Sequence, residues 1–539
     1  MKRNSIILGL LLGGLCINAF AEPIVPAGHP NISEYNGFAS CKLCHSSTFD
    51  THIADIMASP HWTWVVDDGN NTSTVGKINV INNFCVAVVS NEPRCTSCHI
   101  GIGWSDDSFD HANRDAIDCF VCHDGTGAYK KNPKGAGAAL PLPEGTTYND
   151  VLQSFQMPDR DNCGQCHFFG GGGEGVKHGT MDGSLSMPSR EVDVHMGGVA
   201  DLTCVDCHRR AGFVSTTADM YGTRYSHTDG MDDTALCKDC HTDAASAHSL
   251  PSKHFDILAC QTCHVPALAR GGKPTKLTWD WSTAGDYIPK EDGSYSADRI
   301  IRDDNGWIIY HSKKGTFGWG TDVVPDYAWN NGKMTHLTLD NMPLALDGPT
   351  QINTLEGSNG DGLIFPIKNF MSIQPADAGA GTLAVPNLFP GGTNGADDKT
   401  PGIKNAYWAG YNWEKAVQSG QEAAGLSWVG PLEWVESEYK WIQSHMVAPK
   451  EMALRCVDCH NSWGRMDFAA LGLNAGMQGI KNDEVWLGFP YVDGPYYDTG
   501  AWLGVVYTTE ALDGWVYVYD LMNWMYIPNS GAGWAYVPN

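Results

Sequence analysis

After its first twenty residues the sequence has no apolar run that could span a bilayer, which takes about 20 consecutive apolar residues in a helix. Basic residues are scarce: 35 Lys and Arg stand against 61 Asp and Glu in 539 residues, for a formal net charge of -26. That balance excludes a nucleic-acid partner, which needs clustered Lys and Arg to replace the counterions of phosphate. It suits contact with a basic protein partner, and equally a solvated acidic face with no partner role. A disulfide framework is missing as well. The chain has 18 cysteines, but sixteen of them sit in copies of one pentapeptide, a regularity that disulfide-stapled domains do not show.

The chain opens Met1-Lys2-Arg3, continues through apolar Ile6 to Leu15, and reaches Ala19-Phe20-Ala21 before Glu22. This is the pattern of a secretory signal, so residues 1–21 are expected to be removed on export and the rest to be periplasmic, with cell-surface association compatible. Leu15 precedes Cys16 where lipoprotein processing wants a small residue, which speaks against a lipid anchor.

The repeated pentapeptide is Cys-Xaa-Xaa-Cys-His. Its eight copies begin at Cys41, Cys95, Cys119, Cys163, Cys204, Cys237, Cys260 and Cys456, and their second cysteines are Cys44, Cys98, Cys122, Cys166, Cys207, Cys240, Cys263 and Cys459. The adjoining histidines are His45, His99, His123, His167, His208, His241, His264 and His460. Two thiols at this spacing can add to the two vinyl groups of one haem while the next imidazole binds the iron. A redox dithiol or half of a zinc site explains a Cys-Xaa-Xaa-Cys pair but not a histidine after each of eight. The reading is therefore eight covalently bound haems c.

Seven units lie within residues 41–264, about 30 residues for each haem. So little chain cannot enclose each macrocycle separately, so the haems are expected to pack on one another as a core and to pass electrons. Iron needs a second axial ligand, and twelve histidines lie outside the units. The candidates are His61, His178, His195, His227, His248, His254 and His445. A helix beginning after Pro431 is expected to carry Trp434, Trp441 and Ile442 on one face, with His445 pointing along it. His311 and His336, in the long stretch without units, are discounted. Were every iron doubly ligated by protein, the molecule would only pass electrons, and the residues alone do not say which haem is open.

Several stretches look familiar. Ser59-Pro60-His61-Trp62-Thr63-Trp64, Ile81 to Cys85 leading to Arg94 and the unit at Cys95, and His167-Phe168-Phe169 with Gly170 to Gly173 running on to Lys177-His178-Gly179 resemble the octahaem tetrathionate reductase family of c-type cytochromes. Thr278 to Ser282 and Val447 to Glu451 add to a likeness that covers roughly residues 35–470. The resemblance implies a periplasmic oxidoreductase that reduces tetrathionate, nitrite and hydroxylamine at its second haem, which has a lysine on the distal side. Carried to this chain, that haem belongs to Cys95, Cys98 and His99. Lys177 is the favoured lysine because it follows the glycine run, with Lys130 and Lys131 as runners-up. A lysine binds iron only as the neutral amine, so its site must be desolvated.

With Cys16 removed, Cys85 is the one cysteine outside the units. It is either buried and inert or reactive. The family resemblance, which places a cysteine near the active haem, favours the second, and such a thiol could exchange with the sulfur-sulfur bond of tetrathionate. Electron supply is expected from a redox partner cytochrome or a quinol-oxidising membrane protein, and a homo-oligomer is compatible. The rival readings are a non-catalytic electron conduit and hydroxylamine or hydrazine oxidation.

The expected fold is mainly α and irregular around a haem-stack core in residues 22–475, with loops and short strands in the haem-free stretch 265–455, including a loop from Pro375 to Lys399. From about residue 480, Trp515-Val516-Tyr517, Trp524-Met525-Tyr526 and Trp534-Ala535-Tyr536 recur between turn signals. They suggest a small aromatic β appendage over 480–539, a surface for a partner or glycan or simply a packed extension.

Overall fold

The computed structural model describes residues 31–42, 50–67, 74–84, 87–208, 236–243, 248, 252–286, 298–389, 405–460, 464–473, 485–486, 489–493, 496–498, 503–508 and 515–527. Among the described residues, the second to eighth Cys-Xaa-Xaa-Cys-His units lie on short helical turns: Glu92–Cys95 with Thr96–Cys98, Phe120–His123, Arg160–His167, Cys204–Cys207, Cys237–Cys240, Cys260–His264 and Cys456–Cys459. A helical turn is what the chemistry wants, because residues three apart face the same side and both thiols reach one ring edge. Side chains fix where these turns start. Asp159 and Asn162 form a reciprocal cap on Arg160–His167, and Thr203 with Asp206 does the same for Cys204–Cys207.

Around the units the apolar core is broken into small clusters, such as Tyr35, Phe120, Val121, Tyr129, Val151 and Leu152. One of these contains a buried charge. Asp118 and Lys131 form an ion pair at 2.7 Å whose side chains are 0% and 6% exposed. The hydroxyls of Tyr35 and Tyr129 each donate to Asp118 at 3.1 Å, and the Cys119 N–H donates to the Tyr35 hydroxyl at 2.6 Å. The Asp118 carboxylate thus ties the turn of the third unit to two other segments. Asp118→Ala strands a buried ammonium and is expected to cost about 3–5 kcal/mol, read as a lowered thermal midpoint with haem content unchanged. A midpoint within experimental error of the parent would refute it.

The largest core cluster lies where the sequence has no units. There a nine-stranded sheet is built from β1 (Thr275–Asp280), β2 (Ile300–Arg302), β3 (Ile308–His311), β4 (Gly315–Gly320), β5 (Asp326–Asn330), β6 (Thr350–Gln351), β7 (Leu363–Asp377), Thr382–Leu383 and β8 (Leu432–Ile442). The order is β2-β3-β4-β1-β7-β8-β6, with β5 and Thr382–Leu383 also paired to β7. Eleven residue pairs join β7 and β8 antiparallel, from Ile367 opposite Ile442 to Asp377 opposite Leu432. Trp279, Trp281, Phe317, Phe370, Tyr407 and Tyr439 fill the core beside it.

This corrects two expectations. The fold is not mainly α, since 265–455 holds this sheet in place of loops and short strands, and Pro375 lies within β7. The segment after Pro431 is β8, not a helix. Ser437, Tyr439 and Trp441 recur at period two, and all three share the face that β7 lines with Lys368, Phe370, Ser372 and Gln374. Trp434 and Trp441 are seven apart, which also fits two helical turns, and that coincidence misled the period assignment.

The strands Val485–Trp486, Phe489–Asp493, Tyr496–Asp498, Val505–Tyr507, Trp515–Val518 and Asn523–Tyr526 form an antiparallel meander. The two described Trp-Xaa-Tyr copies are hairpin partners: Trp515 faces Tyr526 and Tyr517 faces Trp524, at 5.4 Å in both pairs. Val506, Val516, Val518 and Met525 form the opposite, buried face. The third copy lies outside the described residues. No described helix is long and apolar enough to cross a membrane.

Candidate functional site

Five histidine pairs stand at one separation. The ring centres of His61 and His167, His195 and His241, His248 and His264, and His254 and His460 are each 6.0 Å apart, and those of His208 and His445 are 6.1 Å apart. With a metal–nitrogen bond of about 2 Å and a ring centre about 1 Å further on, two imidazoles across one metal stand about 6 Å apart. The residues therefore fit bis-histidine iron at the fourth to eighth units, with one ring from the unit and one from elsewhere in the chain. Desolvation lowers the pKa of His61 and of His445 to about 4, with His208 adding to the effect. Both are held neutral, the form that binds a metal. His123 of the third unit has its Nδ1 on the Gln156 carbonyl at 2.8 Å, which leaves Nε2 for iron.

Other candidates are placed differently. The His178 ring lies 4.9 Å from Trp441. His311 and His336 have partners elsewhere, the Lys313 N–H at 3.1 Å and the Tyr439 hydroxyl at 2.8 Å. His227, Cys44, His45 and Cys85 lie outside the described residues. Cysteines of different units are near enough to shift one another's pKa: Cys41 with Cys119, Cys98 with Cys166, Cys163 with Cys204, and Cys237 with Cys260. These pairs link the first unit to the third, the second to the fourth, the fourth to the fifth and the sixth to the seventh.

The second unit differs from the rest. His99 is wholly buried among Trp62, Trp64, Trp104 and Phe109. Its Nε2 is 2.7 Å from the Trp62 carbonyl and its Nδ1 accepts the Gly101 N–H at 3.0 Å. Ligation by His99 therefore requires the Trp62 bond to be exchanged for iron. His111, not selected from the sequence, stands 6.2 Å from His99. Desolvation takes the His99 pKa down to about 3.

The Lys177 amine lies over two neighbouring aromatic rings, 5.4 Å from the centre of Phe84 and 5.3 Å from that of Trp441, and its charge is one of those that lower the Cys98 thiol pKa. The runners-up are engaged elsewhere: Lys131 is held by Asp118, and Lys130 is exposed. Lys77, overlooked in the sequence, is also close, its amine donating to the Cys95 carbonyl at 3.0 Å over the Trp64 ring.

The glycine run serves Lys177 itself. A Cβ on Gly170 would come within 2.9 Å of Lys177 Cδ, and one on Gly171, at φ +78, within 2.8 Å of Val176 and 3.2 Å of Phe84. Gly175, at φ +63, would place a Cβ 2.5 Å from the Pro274 carbonyl. Beyond Lys177, Gln443 accepts the Gly179 N–H at 2.9 Å and the Thr180 hydroxyl at 3.0 Å. The loop is thus fastened to β1 and to the end of β8.

A family model for bacterial cytochrome c matches residues 276–463, and one for cytochrome c7 and related cytochromes c matches residues 189–266. No curated protein sequence matches. The solved structure of octaheme cytochrome c from Shewanella oneidensis is similar to this chain, with 33% sequence identity, a TM-score of 0.66, and coverage of 82% of this chain and 94% of that one. With that identity over nearly the whole of the relative, and with unit histidines paired at the separation iron requires, the chain belongs to the octahaem c-type cytochromes and carries covalently bound haem c.

Proposed function

We propose that this protein carries eight haems c and acts in the periplasm as a multi-electron reductase of tetrathionate, nitrite or hydroxylamine, with its reaction site at the Cys95/Cys98/His99 unit and Lys177 on the distal side. The observation that carries the reading is the Lys177 amine, held over the rings of Phe84 and Trp441 and near enough to the second unit for its charge to lower the Cys98 thiol pKa. Bound haem supplies the electrons, which a small substrate needs in numbers no side chain can provide.

The residues around the unit suit an anion. Lys77, Arg94 and Lys177 converge there in a chain of net charge -26, a local reversal of sign that draws negative substrates in. Cys85 directly follows Phe84 in the sequence, and on the family resemblance its thiol is the partner proposed for tetrathionate. The nearness of Cys98 to Cys166 and of Cys163 to Cys204 supports a route by which electrons from a cytochrome or a quinol-oxidising membrane protein would reach the second unit through the fourth.

The test is the haem-loaded protein with a strong artificial donor and each of the three substrates, alongside low-temperature electron paramagnetic resonance. Donor oxidation coupled to substrate consumption, with one haem distinct from the bis-histidine set, is expected. If all haems prove to be low-spin bis-histidine and no substrate alters the spectrum, the protein is an electron conduit. If hydroxylamine instead reduces the protein, the reaction runs in the oxidative direction.

A further inference from the structure

Lys368 is 1% exposed, and burial, with no carboxylate among the described residues offsetting it, holds its pKa well below the usual lysine range. A buried amine of this kind is costly, and it persists where its hydrogen bonds hold something in place. Here its Nζ donates to the Val176 carbonyl at 2.8 Å, the Lys177 carbonyl at 3.0 Å and the Thr275 hydroxyl at 2.8 Å. Three polar partners thus surround the amine. Thr275 in turn donates to the Gly175 carbonyl at 2.8 Å and lies 3.2 Å from that of His178. Four successive carbonyls, from 175 to 178, are therefore gathered by one lysine and one threonine.

The register of the sheet adds a second hold. Lys368 on β7 lies directly opposite Trp441 on β8, so the two side chains project from the same face. One grips the backbone of Lys177 and the other flanks its amine. A hydrogen bond to a carbonyl fixes where the Cα sits, and an aromatic wall fixes where the stem can run.

We propose that Lys368 is a positioning residue that, with Thr275 and its cross-strand neighbour Trp441, holds the 175–178 loop so that the Lys177 amine faces the haem of the second unit. The proposal rests on the reading of Lys177 as the distal ligand. It assigns to the haem-free sheet the task of setting one axial ligand rather than merely covering the haems.

The test compares haem-loaded parent, Lys177→Ala, Lys368→Met, Lys368→Arg and Thr275→Val by electron paramagnetic resonance and near-infrared magnetic circular dichroism. The parent is expected to show a lysine–histidine haem that Lys177→Ala abolishes. Lys368→Met is expected to lose that signature while the bis-histidine signals persist, and Lys368→Arg, which keeps donors, to restore part of it. Thr275→Val is expected to weaken it and decides the matter if Lys368→Met does not accumulate with haem. An intact signature in Lys368→Met, or in Thr275→Val where that variant decides, overturns the positioning role alone. A parent spectrum without a lysine ligand, or one unchanged in Lys177→Ala, overturns both this role and the reading beneath it.

Discussion

Lys177→Ala is expected to lower turnover of an anionic substrate about 100-fold, the scale of losing a positioned proton donor or charge at a reacting centre. On the proposed reading, the Lys177 amine gives way to substrate and takes a proton from solvent, so one side chain would guard the site and then stabilise the incoming anion. Alanine can do neither, although it leaves the loop backbone on Lys368 and Thr275. The fall should therefore come with unchanged haem content and thermal stability, and with loss of the lysine-haem signature. Lys77→Ala is the informative control, because Lys77 is the other amine near Cys98. It should keep the signature and raise KM a few-fold, an effect that fades at high salt because it is a screened attraction. Should Lys77→Ala abolish the signature and Lys177→Ala preserve it, the two lysines exchange roles.

What the sequence disclosed was what is local. Each Cys-Xaa-Xaa-Cys-His unit carries its chemistry within five residues, and a helical turn is the natural geometry for it. His61, His195, His248, His254 and His445 were also within reach, because a chain with eight haem units needs histidines beyond those of the units as second ligands. Pairing was not. His445 meets His208 across more than two hundred residues, and nothing in either neighbourhood specifies that partner. The sheet was hidden for a related reason: β7 is buried along most of its length and shows little alternation, and β8 carries tryptophans at a spacing that also suits a helix. Lys368 left no local trace at all. Its significance depends on carbonyls 191 and 192 residues away, and a lysine in a strand is ordinarily taken for a solvated one. The glycine run was noticed because Lys177 follows it, and its bare Cα atoms make room for Lys177, Val176 and Phe84.

Protein made without haem attachment is expected to lose structure in residues 31–264 while the sheet persists. The units lie among small separate apolar clusters, such as Phe38, Ile53, Trp62, Ala116 and Ile117, whereas β1, β7 and β8 border a larger contiguous core to which, among the described residues, only Ile81, Phe84, Ala87 and Val176 of the earlier region contribute buried side chains. If each macrocycle buries roughly 300 Å² of apolar surface, it contributes roughly 7 kcal/mol at ~25 cal/mol per Å². A domain's net stability is about 5–15 kcal/mol, so losing even two haems removes as much as the fold retains in total. Lost axial ligation adds to the deficit, because desolvated imidazoles such as His61 and His445 would lie buried without the metal that justifies their cost. Limited proteolysis should then cut readily between 31 and 264 and leave a resistant fragment around 275–442, whereas the haem-loaded protein should resist in both regions. Haem-free protein protected throughout residues 87–208, with cooperative thermal unfolding, would mean that the polypeptide supplies its own core there and that the haems are guests rather than structure.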